Sequence, residues 1–353
     1  MKNPDSSSFF RYLGKLGLLF LLLAPSLFAE TVQLPYSLTP GMSYVGVPLL
    51  RPALFSGKIT KADPSNFRLQ VNSYPPIDFA TVPGWGTSPC FLEISASPAD
   101  TTLEGERYEV DPVRTLKEKG FVVFKSSPYN TRADLPAGLA GANFSIHPHW
   151  TLATLFGKAT TTTLGKGLSA AASDEIRLYD PTASSSYRSF FPRLGDSKNL
   201  PGWRLSLNPT GPEQSETVFP PGYGMILVRN AKENLTFAVS GEPRTHAFRF
   251  PLRAGTNLLA PGHMKDFSLK GLLAIPSNGF VAGLNPESSD QVSFLVGQRK
   301  ESFMILADSP ARWVSLQSRY SLPPAEVVIA PAAKALEIRK LKADPDFVIP
   351  YVP

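Results

Sequence analysis

The sequence predicts an all-β fold, built of tandem β-sandwich or partly closed barrel modules with short helical turns. Three observations carry that expectation. Short runs rich in β-branched and aromatic residues recur along the chain, and clusters of Pro, Gly, Asn and Ser separate them. No stretch sustains helical periodicity beyond about three turns. Proline makes up 35 of the 353 residues, about twice its usual ~5% share, which suits many turns and few long helices. With 42% hydrophobic residues the chain can bury a large core, which excludes disorder throughout.

Residues 1–29 read as a secretory signal. Arg11 and Lys15 precede an apolar run from Leu16 to Ala24, and Ala29 suits the last position before a cleavage site. A run of nine residues is too short to cross a bilayer core, which takes roughly 20. No second run of spanning length follows, so no transmembrane segment is expected after cleavage. Removing Lys2, Asp5, Arg11 and Lys15 lowers the formal charge from +6 to +4. That mild excess excludes the dense basic stripe of a nucleic-acid binder.

Residues 30–142 read as a separate N-terminal β unit, with strands near 67–71, 108–110 and 121–124. Its Cys90 is the single cysteine, so an internal disulfide and a multi-thiolate metal site are both excluded. Cys90 is expected as a small buried hydrophobe beside the strand Phe91-Leu-Glu-Ile94. Trp85 lies in the loop Pro83-Gly-Trp-Gly-Thr-Ser-Pro89, where an exposed indole could stack on a sugar face. The plainer reading folds that indole back over the core. The acidic run from Glu104 to Asp111 alternates as a half-solvated strand would. A glycosidase needs two carboxylates roughly 5–9.5 Å apart across a cleft, which neighbours on one strand rarely supply.

Beyond residue 142 an ordered series of six landmarks occurs twice, predicting β-module copies at 143–254 and 255–353. Phe144–Pro148 matches Asn257–Pro261, each a strand closed by proline. Trp150-Thr151 with Leu155 matches Phe267-Ser268 with Leu272, a hydroxyl that caps a helical turn behind a hydrophobic staple. Ser173-Asp174 matches Ser289-Asp290, and Ser189-Phe190-Phe191 matches Ser302-Phe303-Met304. Strands opening with Trp203 and Trp313 follow, and both indoles are expected in the core. The series ends with Pro220-Pro221 before Met225–Val228 against Pro323-Pro324 before Val327–Ile329. The offset between partners runs from 103 to 117 residues. The stretch Pro48–Gly57 has the spacing of Pro148–Gly157 and reads as a degenerate third start.

His147-Pro-His149 is the candidate metal site. Residues two apart on an extended segment face one side, so both imidazoles could meet one ion. Asp174, Asp180 or His263 could supply a third ligand, and no spacing argument selects one. The alternative is a strand end entering a turn, since Ala260 and Gly262 stand at the matching places. Lys334, Arg339, Lys340 and Lys342, interleaved with apolar residues, read as a solvated sheet edge.

Four segments together resemble an uncharacterised family of secreted proteins, a paralogous family of Verrucomicrobium-type bacteria. They are Phe144–Gly157, Asp174–Asp180, Pro220–Asn230 and Leu235–Gly241. The likeness runs over nearly the whole mature chain and is strongest from about 143 to 315. It implies secretion and a β fold, and brings no activity, cofactor or catalytic residue. One departure lies in the second copy, where Ala325-Glu326 stands in place of Gly222-Tyr223, and Ala cannot take positive φ cheaply.

The chain has no G-x-S-x-G, H-E-x-x-H, C-x-x-C, Walker or G-x-G-x-x-G motif. These readings favour a non-catalytic exported protein, periplasmic or at the cell surface, with a structural or adhesive role in the envelope or extracellular matrix. A carbohydrate-binding protein using Trp85 is the first alternative, and a hydrolase with an unrecognised site the second. No cofactor is expected; the partners would be envelope polysaccharide or another surface protein.

Overall fold

The β-branched and aromatic runs become strands of antiparallel sheets, and the fold is all-β. The computed structural model describes residues 31–180, 187–269, 271–272, 274–317, 328–330 and 333–351, and Thr31–Pro353 forms one unit. Three large sheets organise it: one of six strands and two of five.

The six-stranded sheet runs in the order Arg107–Glu109, Cys90–Ala96, Asn143–Pro148, Phe55–Asp63, Arg68–Val71, Phe121–Val123. Alternating residues such as Leu69, Val71, Leu92, Ile94, Phe144 and Ile146 turn one face inward and are buried together. The sheet curls until its edges meet. Val110 bridges Phe124, the Asp111 N–H donates to the Val123 carbonyl at 2.8 Å, and that of Lys125 to Glu109 at 3.0 Å. We call this unit the barrel.

The two five-stranded sheets share one strand order. The middle sheet runs Gly202–Leu205, Tyr187–Arg193, Glu175–Tyr179, Met225–Arg229, Gly41–Val45. The C-terminal sheet runs Arg312–Ser315, Arg299–Leu306, Gln291–Val296, Leu336–Lys340, Gly255–Leu259. Each has a two-stranded satellite, Trp150–Thr151 with Val218–Phe219 in one and Phe267–Ser268 with Val328–Ala330 in the other. Trp203 and Trp313 are both buried, donating from Nε1 to the carbonyls of Gly157 (3.0 Å) and Ala274 (2.9 Å). Thr151 caps the helix Leu152–Phe156, and Ser268 Oγ accepts from the Gly271 N–H at 3.0 Å.

This topology departs from the expected boundaries. Strand Gly41–Val45 lies at the edge of the middle sheet, and Val32–Leu38 pairs with Leu235–Pro243, so residues 30–142 are not a separate unit. The middle module takes its first strands from 32–45 and resumes at Trp150, with the barrel inserted between. By sheet register Tyr44-Val45, not Phe144–Pro148, is the counterpart of Leu258-Leu259. Pro48 and Pro148 bracket the insertion rather than opening successive copies. The counterpart of Met225–Arg229 is Leu336–Lys340, not Val327–Ile329. Pro323, Pro324, Ala325 and Glu326 lie outside the described residues.

The two modules interlock through matched pairs of main-chain bonds. The Gly46 N–H donates to the Ala333 carbonyl and that of Ala260 to Gly222, both at 2.8 Å. The Gly224 N–H donates to Leu258 at 2.8 Å and that of Ala335 to Tyr44 at 3.4 Å. Small residues allow this approach: a Cβ on Gly46 would stand 2.8 Å from Ala260 Cβ, and one on Gly224 2.5 Å from Ala335 Cβ.

Lys340 does not lie on a solvated edge. It is 2% exposed, and its Nζ meets Asp290 Oδ2 and the Gly279 carbonyl, each at 2.7 Å, over the Phe280 ring. Burying an ammonium without such partners would be prohibitive.

Candidate functional site

His147 and His149 stand where the chain leaves the barrel. His147 Nδ1 lies 2.7 Å from the Arg51 carbonyl, while Arg51 Nη1 donates back to the His149 carbonyl at 3.0 Å. Trp150 Nε1 donates to the Leu49 carbonyl at 2.8 Å, so entry and exit strands are clamped together. His149 Nε2 meets Glu109 Oε1 at 2.9 Å, and the Phe91 ring lies against both imidazoles. Burial pulls His147 below its ordinary pKa. Each histidine therefore has its own partner. Among the described residues no group of three His, Cys, Asp or Glu is arranged to hold a metal ion.

The other proposed third ligands lie elsewhere. Asp174 binds Arg229 through Oδ2 at 2.7 Å, and His263 packs on Phe267 with ring centroids 5.6 Å apart. Trp85 folds over the barrel core, 4.5 Å from the Phe79 centroid, its Nε1 3.4 Å from the Pro112 carbonyl. Cys90 is buried, and desolvation pushes its thiol up to about 12.

The acidic run is buried from Glu106 to Glu109 rather than half-solvated, and only its ends, Glu104 and Asp111, are partly exposed. It faces the basic linker that joins the two modules. Glu106 meets Arg132 Nε at 2.6 Å and Arg249 Nε at 3.2 Å. Glu93, on the neighbouring strand, is gripped by Arg244 at 3.0 and 2.9 Å and by His246 at 2.8 Å. Burial would raise the Glu93 carboxyl, but Arg244 and His246 outweigh it and hold it well below the usual carboxylate range. Charge pairs are thus how the barrel docks on the linker, a role that local alternation did not disclose.

A cleft of about 410 Å³ opens between the barrel and the middle sheet. Tyr129 comes from the barrel side, while Tyr179, Asp180 and Arg188 come from two adjacent strand ends of the sheet. Glu213, Glu216 and Thr217 come from the loop leading into the satellite strand. The aromatic wall is fixed from behind. Tyr223 packs edge-on against Tyr129 at 5.5 Å and stacks on Tyr179 at 6.0 Å. Burial, with Asp180 adding to it, pushes Tyr129 up to about 12, so its phenol stays protonated at neutral pH.

The carboxylates differ in how they are held. Glu213 accepts the Trp203 N–H at 3.0 Å and the Ser215 N–H at 2.8 Å, which fixes the loop to the sheet edge. Asp180 Oδ2 is 3.9 Å from Arg188 Nε, whose guanidinium lies over Phe190. Glu216 is exposed on the rim; burial pulls the nearby Arg51 below its ordinary pKa, and the Glu216 charge partly opposes this. The arrangement presents aromatic surface and several acceptors to anything that enters. Sequence reasoning missed it because its residues come from four separated segments. The one local signal was aromatic and charged residues bracketing a strand turn, Tyr179-Asp180 and Tyr187-Arg188.

No known protein family, curated protein or solved structure matches the chain.

Proposed function

We propose that the chain is an exported, non-catalytic adhesive protein of the envelope or extracellular space, attaching through the cleft between barrel and middle sheet. The observation that carries this is the cleft's construction: aromatic rings braced from behind by Tyr223, with polar groups around them. A site that is braced before its ligand arrives loses little freedom on binding.

Export rests on the sequence of residues 1–29, and the likeness to Verrucomicrobium-type secreted paralogues belongs to the same reading. The two five-stranded modules are read here as copies of one ancestral unit, the barrel as a later insertion. The common strand order, the paired tryptophans and the matched bonds between modules support that reading.

The test is depletion of purified residues 30–353 from solution by isolated cell envelope and by a panel of insoluble polysaccharides. Saturable depletion that Tyr129→Ala abolishes supports attachment through the cleft. A protein that stays soluble with every material overturns the adhesive reading.

A further inference from the structure

We propose that the cleft binds hexose chains that carry hydroxyl or amino groups and rejects glycans that carry acidic ones; this rests on the cleft being the point of attachment. Three features of the lining lead there.

First, the partly exposed Tyr129 ring, with the edge of the buried Tyr179 and with Leu178, Phe190 and Val218, gives the cleft apolar carbon beside its polar groups. The apolar C–H face of a pyranose packs well on such surface, and rings held in place by Tyr223 need no ordering on contact. Second, Asp180, Glu213 and Glu216 add three carboxylates to the lining, against the guanidinium of Arg188 within it and that of Arg51 near Glu216; Glu213 already accepts from the Trp203 and Ser215 N–H groups. Carboxylates only accept hydrogen bonds, so they recognise donors: sugar hydroxyls, and more strongly ammonium groups. Third, the balance of sign is local. The chain as a whole carries +6, yet this lining is acidic, and a ligand with carboxylate, sulfate or phosphate groups would meet like charge. The volume falls within the range of about 300–1,000 Å³ common for small-ligand sites.

The C-terminal sheet supplies an internal control. By register, its counterparts of Tyr179, Asp180 and Arg188 are Leu295, Val296 and Glu301. The same sheet therefore forms without these side chains, and their presence in the middle module answers no demand of the strand pairing.

The test is isothermal titration of residues 30–353 with three soluble hexamers: cellohexaose, the glucosamine hexamer and hexagalacturonate. The expected order is glucosamine hexamer tightest and cellohexaose weaker, with hexagalacturonate at least roughly tenfold below both. Tyr129→Ala should weaken the first two by roughly tenfold. Because that residue also packs on Tyr223, Glu216→Lys on the exposed rim serves as a second variant. It should keep the cooperative thermal transition with only a small fall in midpoint from the cation set near Arg51, weaken the glucosamine hexamer and strengthen hexagalacturonate. Hexagalacturonate binding as tightly as the others, or Glu216→Lys leaving their order unchanged, would overturn the proposal. If the envelope depletes the wild type but not Tyr129→Ala while neither neutral nor amino hexamer binds, the ligand class is wrong and the adhesive reading survives.

Discussion

The middle and C-terminal modules keep one buried ion pair at one place and solve it with different cations. In the middle sheet Asp174 accepts from Arg229 Nη1 at 2.7 Å and from the Asn230 N–H at 2.8 Å. In the C-terminal sheet Asp290 accepts from Lys340 Nζ and the Leu341 N–H, both at 2.7 Å. Each aspartate also takes a main-chain donor from the loop before it, Gly165 at 2.7 Å or Val281 at 2.9 Å. What both modules keep is therefore a tie between a strand end and its loop, together with a core tryptophan. What they do not share, among the described residues, is the set Tyr179, Asp180 and Arg188 that lines the cleft. The contrast separates side chains that the scaffold requires from side chains that it merely carries.

The largest effects should come from the shared tie. Asp174→Ala and Asp290→Ala each leave a cation buried without its counter-charge, a loss of about 3–5 kcal/mol in urea unfolding. If only one variant were destabilised, the two ties would not be equivalent. Replacing Asp290 and Lys340 together by apolar residues of similar size should recover much of the loss, because no orphaned charge remains.

The comparison extends to the joints. The modules meet through main-chain bonds and a part-buried side-chain bond, from the Tyr44 phenol to Glu337 Oε2 at 2.9 Å, whereas the barrel meets the linker through the buried charges of Glu93, Arg244 and His246. Glu93→Gln should cost about 2–3 kcal/mol at neutral pH. Glu93 is held below its unfolded value, so its contribution is complete above the unfolded carboxylate pKa of about 4.3 and declines as pH falls below it. The gap between wild type and Glu93→Gln should therefore be widest above about pH 5 and narrow progressively below about pH 4. A gap that does not change between pH 6 and pH 3 would remove the charged account of this joint.

The strands, the core tryptophans and the Thr151 helix cap were legible in the sequence because each depends on neighbours a few residues away; at Ser268 the same pattern holds a turn, and among the described residues no helix follows. The insertion was not. Nothing local in Gly41–Val45 says that its partner is Met225–Arg229, about 180 residues later. Phe144–Pro148 imitated the true start well, since it too is a strand ending in proline before an aromatic-hydroxyl pair. Lys340 misled for a related reason: a lysine between apolar residues looks like a sheet edge unless Asp290 is known to wait beneath it. The cleft left no motif because its chemistry is assembled by the fold from Tyr129, Tyr179 and Glu213. Each of these is unremarkable where it stands in the chain.

Where the modules touch, crowding should be felt at a smaller scale. Gly224→Ala would set a methyl 2.5 Å from Ala335 Cβ, backed by Leu258, and should cost about 1–3 kcal/mol. Ala335→Gly in the same chain should return part of it, since the space removed on one side is released on the other. A simple additive loss from the two substitutions would mean that the approach of the modules is not set by this pair.

The finest distinction lies at Gly222 and Ala333, whose carbonyls accept the matched bonds from Ala260 and Gly46. Both sit at positive φ, 84° and 73°, so the second module holds an alanine in a conformation that favours glycine. Ala333→Gly relieves that strain but gives the unfolded chain more freedom, so the two terms oppose each other and a net gain of about 0.5–1 kcal/mol is expected. Gly222→Ala should act in the opposite direction and more strongly, because its new Cβ would also stand 2.9 Å from Phe248 and 3.0 Å from Phe250. Thermal unfolding of the two variants tests this directly: a rise in midpoint for Ala333→Gly and a larger fall for Gly222→Ala. Equal and opposite shifts would mean that backbone strain alone governs both positions and that the phenylalanine wall behind Gly222 yields.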